Sequence, residues 1–209
     1  LAAGNETDAC FSIIEAMSFI PAILARFPDK MLIFRPHPED LALIEFNLEH
    51  PRAQAFSQLH KLCRTHPRCL VDTEKNNYLD SFSRSAAIIT DTSSVAFSFA
   101  LLTERPVFFY SSDHHSLRQY YYDCEFIADR NEFGLLIDDT PSLLQALEVI
   151  FSGKGEVFRN PDFCQNVIFN SGCSEAYLME NFDYILNDIK HPDWWYLRDH
   201  MGILHHAEN

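Results

Sequence analysis

Two short stretches hold the residues best suited to chemistry, Arg35-Pro36-His37-Pro38 and Thr90-Asp91-Thr92-Ser93-Ser94. The first supplies a permanent cation and an imidazole that titrates near neutrality. Its two prolines remove backbone donors and stiffen the loop. The second supplies three adjacent hydroxyls, Thr92, Ser93 and Ser94, which suit the oxygens of a phosphate. A protonated His37 is favoured beside a pyrophosphate, because a neighbouring opposite charge stabilises the charged form. Hydrogen-bond donors facing a departing nucleoside mono- or diphosphate gain most as its charge grows in the transition state. Asp91 would repel phosphate if it pointed inward. It therefore reads as a cap, as the holder of a more distant donor, or as a ligand for a ribose hydroxyl. The bland alternatives are a proline-braced turn with a surface His37, and simple N-capping by one hydroxyl with the other two incidental.

The elements around these stretches place both at one kind of position. Ala86–Ile89 is a short apolar run, expected as a strand buried on both faces. The polar knot follows it, and Val95–Leu102 then reads as a buried helix, apolar nearly all round, with Phe97, Phe99, Leu101 and Leu102 in the core. Glu104-Arg105-Pro106 breaks the chain before a second strand, Val107–Tyr110. The hydroxyls thus stand at the carboxyl end of a strand and the amino end of a helix, where backbone N–H groups lack intrahelical partners and anions bind readily. Met31–Phe34 is a further strand, ending in Arg35; Cys69–Asp72 and Leu135–Ile137 are two more.

Helices are expected between them. One has Asn5 as N-cap, apolar residues at Ile13, Met17, Ile20, Leu24 and Phe27, and a kink or split at Pro21. Others cover Glu39–Phe46, Arg52–Cys63, Asn76–Phe82, Thr140–Phe151 (Thr140 as N-cap, Pro141 first in the helix) and Ser174–Ile189. Ser111–Asp123, which includes His114, His115 and Tyr120–Tyr122, reads as a polar loop. The alternation predicts an α/β fold, a Rossmann-like parallel sheet with helices on both faces. In such sheets ligands sit outside the carboxyl ends of the strands. The domain is expected over residues 1–190, with a His- and Trp-containing tail over 191–209.

Composition excludes several classes. Sixteen basic residues against thirty acidic ones give a formal charge of −14, which argues against a nucleic-acid partner or an anionic membrane surface. A small anion needs only local donors and stays admissible. Six cysteines without a CxxC pair read as reduced thiols of a cytosolic protein. His114-His115 and His205-His206 lack carboxylates at metal-ligand spacing, so no metal is expected, nor any resident cofactor. GxGxxG, Walker, GxSxG and HExxH motifs are absent. Eighteen phenylalanines allow a large core. The chain begins at Leu1 and reads as a piece of a longer protein.

A strand ending in RPHP, followed by one ending in TDTSS and continuing VAFSFALLTERPVFFY, resembles the CDP-glycerol glycerophosphotransferase family of teichoic-acid and capsule polymerases. The resemblance runs from about Met31 to Ile150. It implies a GT-B architecture, with this chain as the C-terminal, nucleotide-binding half and an acceptor-binding N-terminal domain outside it. It also implies that His37, Ser93 and Ser94 lie at the nucleotide phosphates, His37 with a catalytic role, and that Arg35 and Asp91 are motif neighbours; Arg35 and Thr92 are expected to add donors to the same phosphates, and Asp91 to meet a ribose hydroxyl or hold a more distant donor. The partners implied are a CDP-linked donor and a polymer or lipid-linked acceptor, and the reaction transfers glycerol phosphate with release of CMP. The setting implied is cytoplasmic, with or without peripheral contact at the inner face of the cell membrane. Two positions depart from the family pattern: Thr92 stands where an aromatic is usual, and Ser98 where Asp is common. A nucleotide-sugar glycosyltransferase of capsule synthesis, or a non-catalytic nucleotide-binding module, are the alternatives. The second is motivated by the absence of a His-Gly motif for a catalytic base.

Overall fold

The structure is a computed structural model that describes residues 12–37, 41–42, 47, 49–74, 77–153, 162, 170 and 172–194. The chain divides into two compact units, residues 1–163 and 164–209. The expected Asn5 cap, most of the Glu39–Phe46 helix, His205-His206 and most of the tail lie outside the described residues.

Among the described residues of the first unit, five short strands form, β1 (Leu32–Phe34), β2 (Cys69–Val71), β3 (Ile88–Thr90), β4 (Val107–Tyr110) and β5 (Leu135–Ile137). All pairings are parallel. β1 pairs with β2, Leu32 opposite Cys69, and a second sheet has the order β3-β4-β5, with Ile88 opposite Val107 and Phe108 opposite Leu135. The fold is α/β and Rossmann-like, as expected, with its strands in two small sheets. One core serves both. Leu32, Phe34, Cys69 and Val71 from the first sheet, and Ile89 and Leu135 from the second, pack on the same buried cluster. That cluster takes Phe19, Ile20, Ile23 and Leu24 from α1 (Ser12–Arg26), Leu59 and Cys63 from α2 (Pro51–Thr65), and Leu143 and Leu147 from α8 (Thr140–Phe151). α1 continues through Pro21 instead of splitting there; the ring is exposed while Ile20, Ile23 and Leu24 hold the flanking turns on the core. Pro21 removes one intrahelical bond, which that burial offsets.

β4 is buried at all four residues because it alone has a neighbour on each side within its sheet. β3, expected to be buried on both faces, is half-buried, as suits an edge strand. Side chains alternate along β4. Phe108 and Tyr110 join the α1 and α8 side. Phe109 meets Phe97 of α4 (Val95–Thr103), which also packs on Phe133 at 4.0 Å and Phe126 at 4.4 Å between ring centroids. Phe99 of α4 lies edge-on to Phe82 of α3 (Tyr78–Arg84). Helices therefore cover both faces of the three-stranded sheet. Leu102, expected in the core, is 63% exposed; α4 buries one stripe, Ala96, Phe99 and Ala100, and Leu102 is off it.

The stretch read as a polar loop after β4 is helical over α5 (His114–Tyr120), followed by α6 (Glu125–Ala128) and α7 (Arg130–Phe133). Asp113 supplies the missed start signal, its carboxylate accepting from the Ser116 amide at 2.9 Å. α8 is capped by Asp139, one residue before the expected Thr140. In the second unit the expected single helix is two, α9 (Ser174–Glu180) and α10 (Phe182–Leu186), and Trp194 Nε1 donates to the Tyr177 hydroxyl at 2.6 Å. Among the described residues no helix is long and apolar enough to cross a membrane.

Candidate functional site

Arg35 follows β1 directly and is tied to β2. Its Nη1 donates to Asp72 Oδ2 at 2.6 Å and its Nη2 to the Glu74 carbonyl at 2.5 Å. The Asp72 amide in turn donates to the Phe34 carbonyl at 2.9 Å, so the carboxyl ends of β1 and β2 are joined by main chain and side chain together. Asp72 also accepts from the Ser81 hydroxyl of α3 and, through Oδ1, from the Glu74 amide at 3.0 Å. Burial pushes the Asp72 carboxyl up, but hydrogen bonds from Ser81, the Glu74 amide and Arg35 outweigh it and leave it below the usual carboxylate range. Arg35 is thereby a structural tie whose charge is largely answered by Asp72. His37, two residues on, is exposed, and its carbonyl accepts from the Leu41 amide at 3.3 Å.

Beyond β3, Asp91 is engaged by α1 and by its neighbour Thr92. Its Oδ2 accepts from the Ser12 amide at 3.0 Å and the Ser12 hydroxyl at 3.1 Å, at the start of α1. Its Oδ1 accepts from the Thr92 amide at 2.6 Å. A carboxylate offers about four acceptor positions, and the protein occupies most of them here. Of the three readings open for Asp91, the geometry fits a cap, and the helix it caps is α1.

The hydroxyls do not cap α4. Ser94 stands at the cap position with helical backbone angles, φ −61° and ψ −18°, and its side chain makes no capping bond. A capping side chain reaches back from a non-helical, typically extended, backbone. Among the described residues no hydrogen bond involves the Ser93 or Ser94 hydroxyl; Ser93 is half-buried and Ser94 exposed. Their carbonyls are used, accepting from the Ala96 and Phe97 amides at 3.1 Å each. Thr92 Oγ1 lies 3.5 Å from Asp91 Oδ1. Among the described residues, two adjacent hydroxyls at a helix amino end thus make no hydrogen bond, and neither caps α4.

Two further residues lie behind this loop: Arg130, which the sequence did not mark, and His114, which it placed in a polar loop. Arg130 is 3% exposed and donates from Nη1 to the Asp91 carbonyl at 3.2 Å. Its Nη2 lies 3.4 Å from His114 Nδ1, and its guanidinium carbon lies 5.6 Å from the Phe109 ring centroid. His114 Nε2 is 3.1 Å from the Ile137 carbonyl. Burial holds the His114 imidazole below its ordinary range; the Ile137 carbonyl opposes this, and the Arg130 charge adds to it. His114 is therefore a half-buried helix residue, not part of a solvated loop. No local pattern announces Arg130, since Asp129-Arg130-Asn131-Glu132 reads as a solvated polar run. Among the described residues no cluster of His, Cys, Asp or Glu is arranged to hold a metal.

The profile of the family described as CDP-glycerol:poly(glycerophosphate) glycerophosphotransferase matches residues 27–157. The chain belongs to this family. The glycerophosphotransferase match includes Arg35, His37, Asp91 to Ser94, His114 and Arg130. A curated relative, the teichoic acid ribitol-phosphate primase of Bacillus spizizenii (strain ATCC 23059 / NRRL B-14472 / W23), is 31% identical over 120 residues, covering 53% of this chain and 30% of the primase. The chain thus spans about a third of the length of that relative. No solved structure matches the chain.

Proposed function

We propose that this chain is the donor-binding part of a transferase that moves an alditol phosphate, glycerol phosphate or its ribitol counterpart, from a CDP-linked donor to a cell-surface polymer or its lipid-linked primer. The observation that carries the reading is the pair Ser93 and Ser94, whose hydroxyls make no hydrogen bond among the described residues and stand at the amino end of a helix within the family match. The donor phosphates sit over these hydroxyls and the first amides of α4. His37, at the carboxyl end of β1, donates to the same phosphates and stabilises the charge that grows on departing CMP. Thr92 contributes its hydroxyl beside them, while Arg35 and Asp91 hold the two loops in place. The architecture is one half of a GT-B fold, and the acceptor and the catalytic base belong to a part of the protein outside this chain. The family description names CDP-glycerol and poly(glycerophosphate), and the relative is named for ribitol phosphate, which supports an alditol phosphate over a nucleotide sugar.

Calorimetric titration with CMP, CDP, CDP-glycerol and CDP-ribitol tests this. Wild type binds the cytidine nucleotides, and the Ser93→Ala/Ser94→Ala double variant loses at least tenfold in affinity, as expected for hydrogen bonds to a charged group of roughly 1.5–3 kcal/mol each. His37→Ala weakens binding in the same direction. A wild-type chain that ignores all four nucleotides overturns the reading. Relative affinity for the two CDP-alditols then identifies the unit transferred.

A further inference from the structure

Taken as whole residues, Arg130, 3% exposed, is the one buried charged residue among the described residues. A buried guanidinium ordinarily faces a carboxylate, because the desolvation penalty is several kcal/mol. Here, among the described residues, no carboxylate lies within ion-pair distance of it. Its hydrogen-bonding neighbours are the Ile127 carbonyl at 3.3 Å, the Asp91 carbonyl at 3.2 Å and the imidazole of His114 at 3.4 Å. The face of Phe109 supplies the remaining contact. The opposing charge on Asp91 acts on it through space, and the like charge of Arg118 acts against that.

The geometry also assigns the imidazole. Arginine has donors only, so His114 Nδ1 must accept, and Nε2 carries the proton that goes to the Ile137 carbonyl. Arg130 and His114 therefore form one chain of hydrogen bonds across the carboxyl edge of the three-stranded sheet. It runs from the Asp91 carbonyl after β3, through Arg130 and His114 after β4, to Ile137 at the end of β5. The peptide between Asp91 and Thr92 is held at both of its polar groups, the carbonyl by Arg130 and the amide by the Asp91 carboxylate at 2.6 Å. That peptide is the last fixed point before Ser93 and Ser94.

We infer that Arg130 is a positioning residue for the anion loop, acting through the Asp91 carbonyl, with His114 setting the orientation of its guanidinium. The inference rests on the reading of Ser93 and Ser94 as phosphate ligands. Arg130 fixes where their hydroxyls stand, and its charge, carried beneath the loop with no carboxylate bound to it, favours an anion above.

The test uses the whole chain and three probes: CDP, CMP and cytidine, which has the base and ribose but no phosphate. In Arg130→Met the affinity for CDP and CMP falls at least tenfold, while cytidine, followed by NMR titration, binds within twofold of wild type. Arg130→Lys, which keeps the charge but loses the fork, lies between. His114→Gln, at a less buried position, gives a several-fold loss for the two nucleotides and serves where Arg130→Met fails to fold by circular dichroism. Nitrogen-15 spectra of wild-type His114 show the Nε2–H tautomer, and Arg130→Met changes that pattern. Folded Arg130 or His114 variants that bind CDP as wild type does, or that lose CDP and cytidine equally, overturn the inference. A wild-type chain that binds none of the nucleotides marks instead the failure of the phosphate-site reading, and the inference falls with it.

Discussion

The Asp91 carboxylate holds the first turn of α1 across 79 positions of sequence, Oδ2 accepting both the amide and the hydroxyl of Ser12. An anion at a helix amino end is favoured by the helix dipole and satisfies an orphan N–H. Asp91 is thus a strut between the strand that ends at the hydroxyl loop and the helix that fills the core. Asp91→Ala should lower stability by about 1–2 kcal/mol, a fall in Tm of roughly 2–8 °C for a chain of this size. The ratio of affinities for CMP and 2′-deoxy-CMP should be the same in the variant as in wild type. A ribose ligand at Asp91 would instead make the variant blind to the 2′-hydroxyl.

Arg35 and Asp72 form a pair of intermediate character, their side chains 25% and 8% exposed. Arg35→Ala leaves Asp72 with a reduced set of donors in a mostly buried place, and should cost about 1–3 kcal/mol. The pH dependence follows from the lowered carboxyl of Asp72. Its folded value lies below the unfolded one, near 3.9. Its contribution is therefore complete above that unfolded value and is lost as pH falls below it, through the folded value. Urea melts between pH 5 and 2.5 should show a shallower acid limb for Asp72→Asn than for wild type. An unchanged limb would remove Asp72 from the acid response.

How far the sequence carried depended on whether the cause was local. Val107–Tyr110 was legible as a strand to the residue because four consecutive apolar side chains suit a strand with neighbours on both sides. The start of α8 was legible to within one position; Asp139 takes the cap from Thr140 because its extended backbone, φ −148° and ψ 163°, lets its carboxylate reach the Ser142 amide. Ser93 and Ser94 were legible as polar residues at a strand end, while their freedom from capping depends on the backbone angles of Ser94. Arg130 and His114 were not legible. His114 is bonded to β5, whose Ile137 carbonyl lies 23 positions away, and Arg130 is oriented by Asp91, 39 positions away. No pattern within a turn or two of either residue encodes those contacts.

Gly134 admits β5 to the sheet. A Cβ there would lie 2.5 Å from the Val107 carbonyl oxygen and 2.9 Å from the Val107 Cβ. Both obstacles belong to a fully buried residue of the central strand, so neither yields cheaply. Gly134→Ala should destabilise by about 1–3 kcal/mol through overpacking. Hydrogen exchange should show amides of Leu135–Ile137 less protected, with those of α2, on the other side of the core, less affected. Wild-type protection and Tm in the variant would mean that β5 shifts to make room.

The cysteines separate into reactive and silent thiols. Burial, with Cys69 acting in the same direction, pushes the Cys63 thiol from 9.0 up to about 12, and the residue is 0% exposed. The thiolate is the reactive form, so native Cys63 should resist iodoacetamide at pH 8 and become labelled only on unfolding. Cys173 is exposed and should be modified in the native state. Peptide mapping by mass spectrometry after a brief pulse distinguishes the two. The same shift has a consequence for alkaline stability. A thiol whose folded value exceeds its unfolded one contributes fully below the unfolded value and loses that contribution as pH rises through the folded one, a window from 9.0 to about 12. Cys63→Ala should lose about 1–2 kcal/mol at neutral pH from the vacated core volume, yet show a shallower decline across that alkaline window. Rapid native-state labelling of Cys63, or parallel alkaline limbs for the two proteins, would contradict the buried-thiol account.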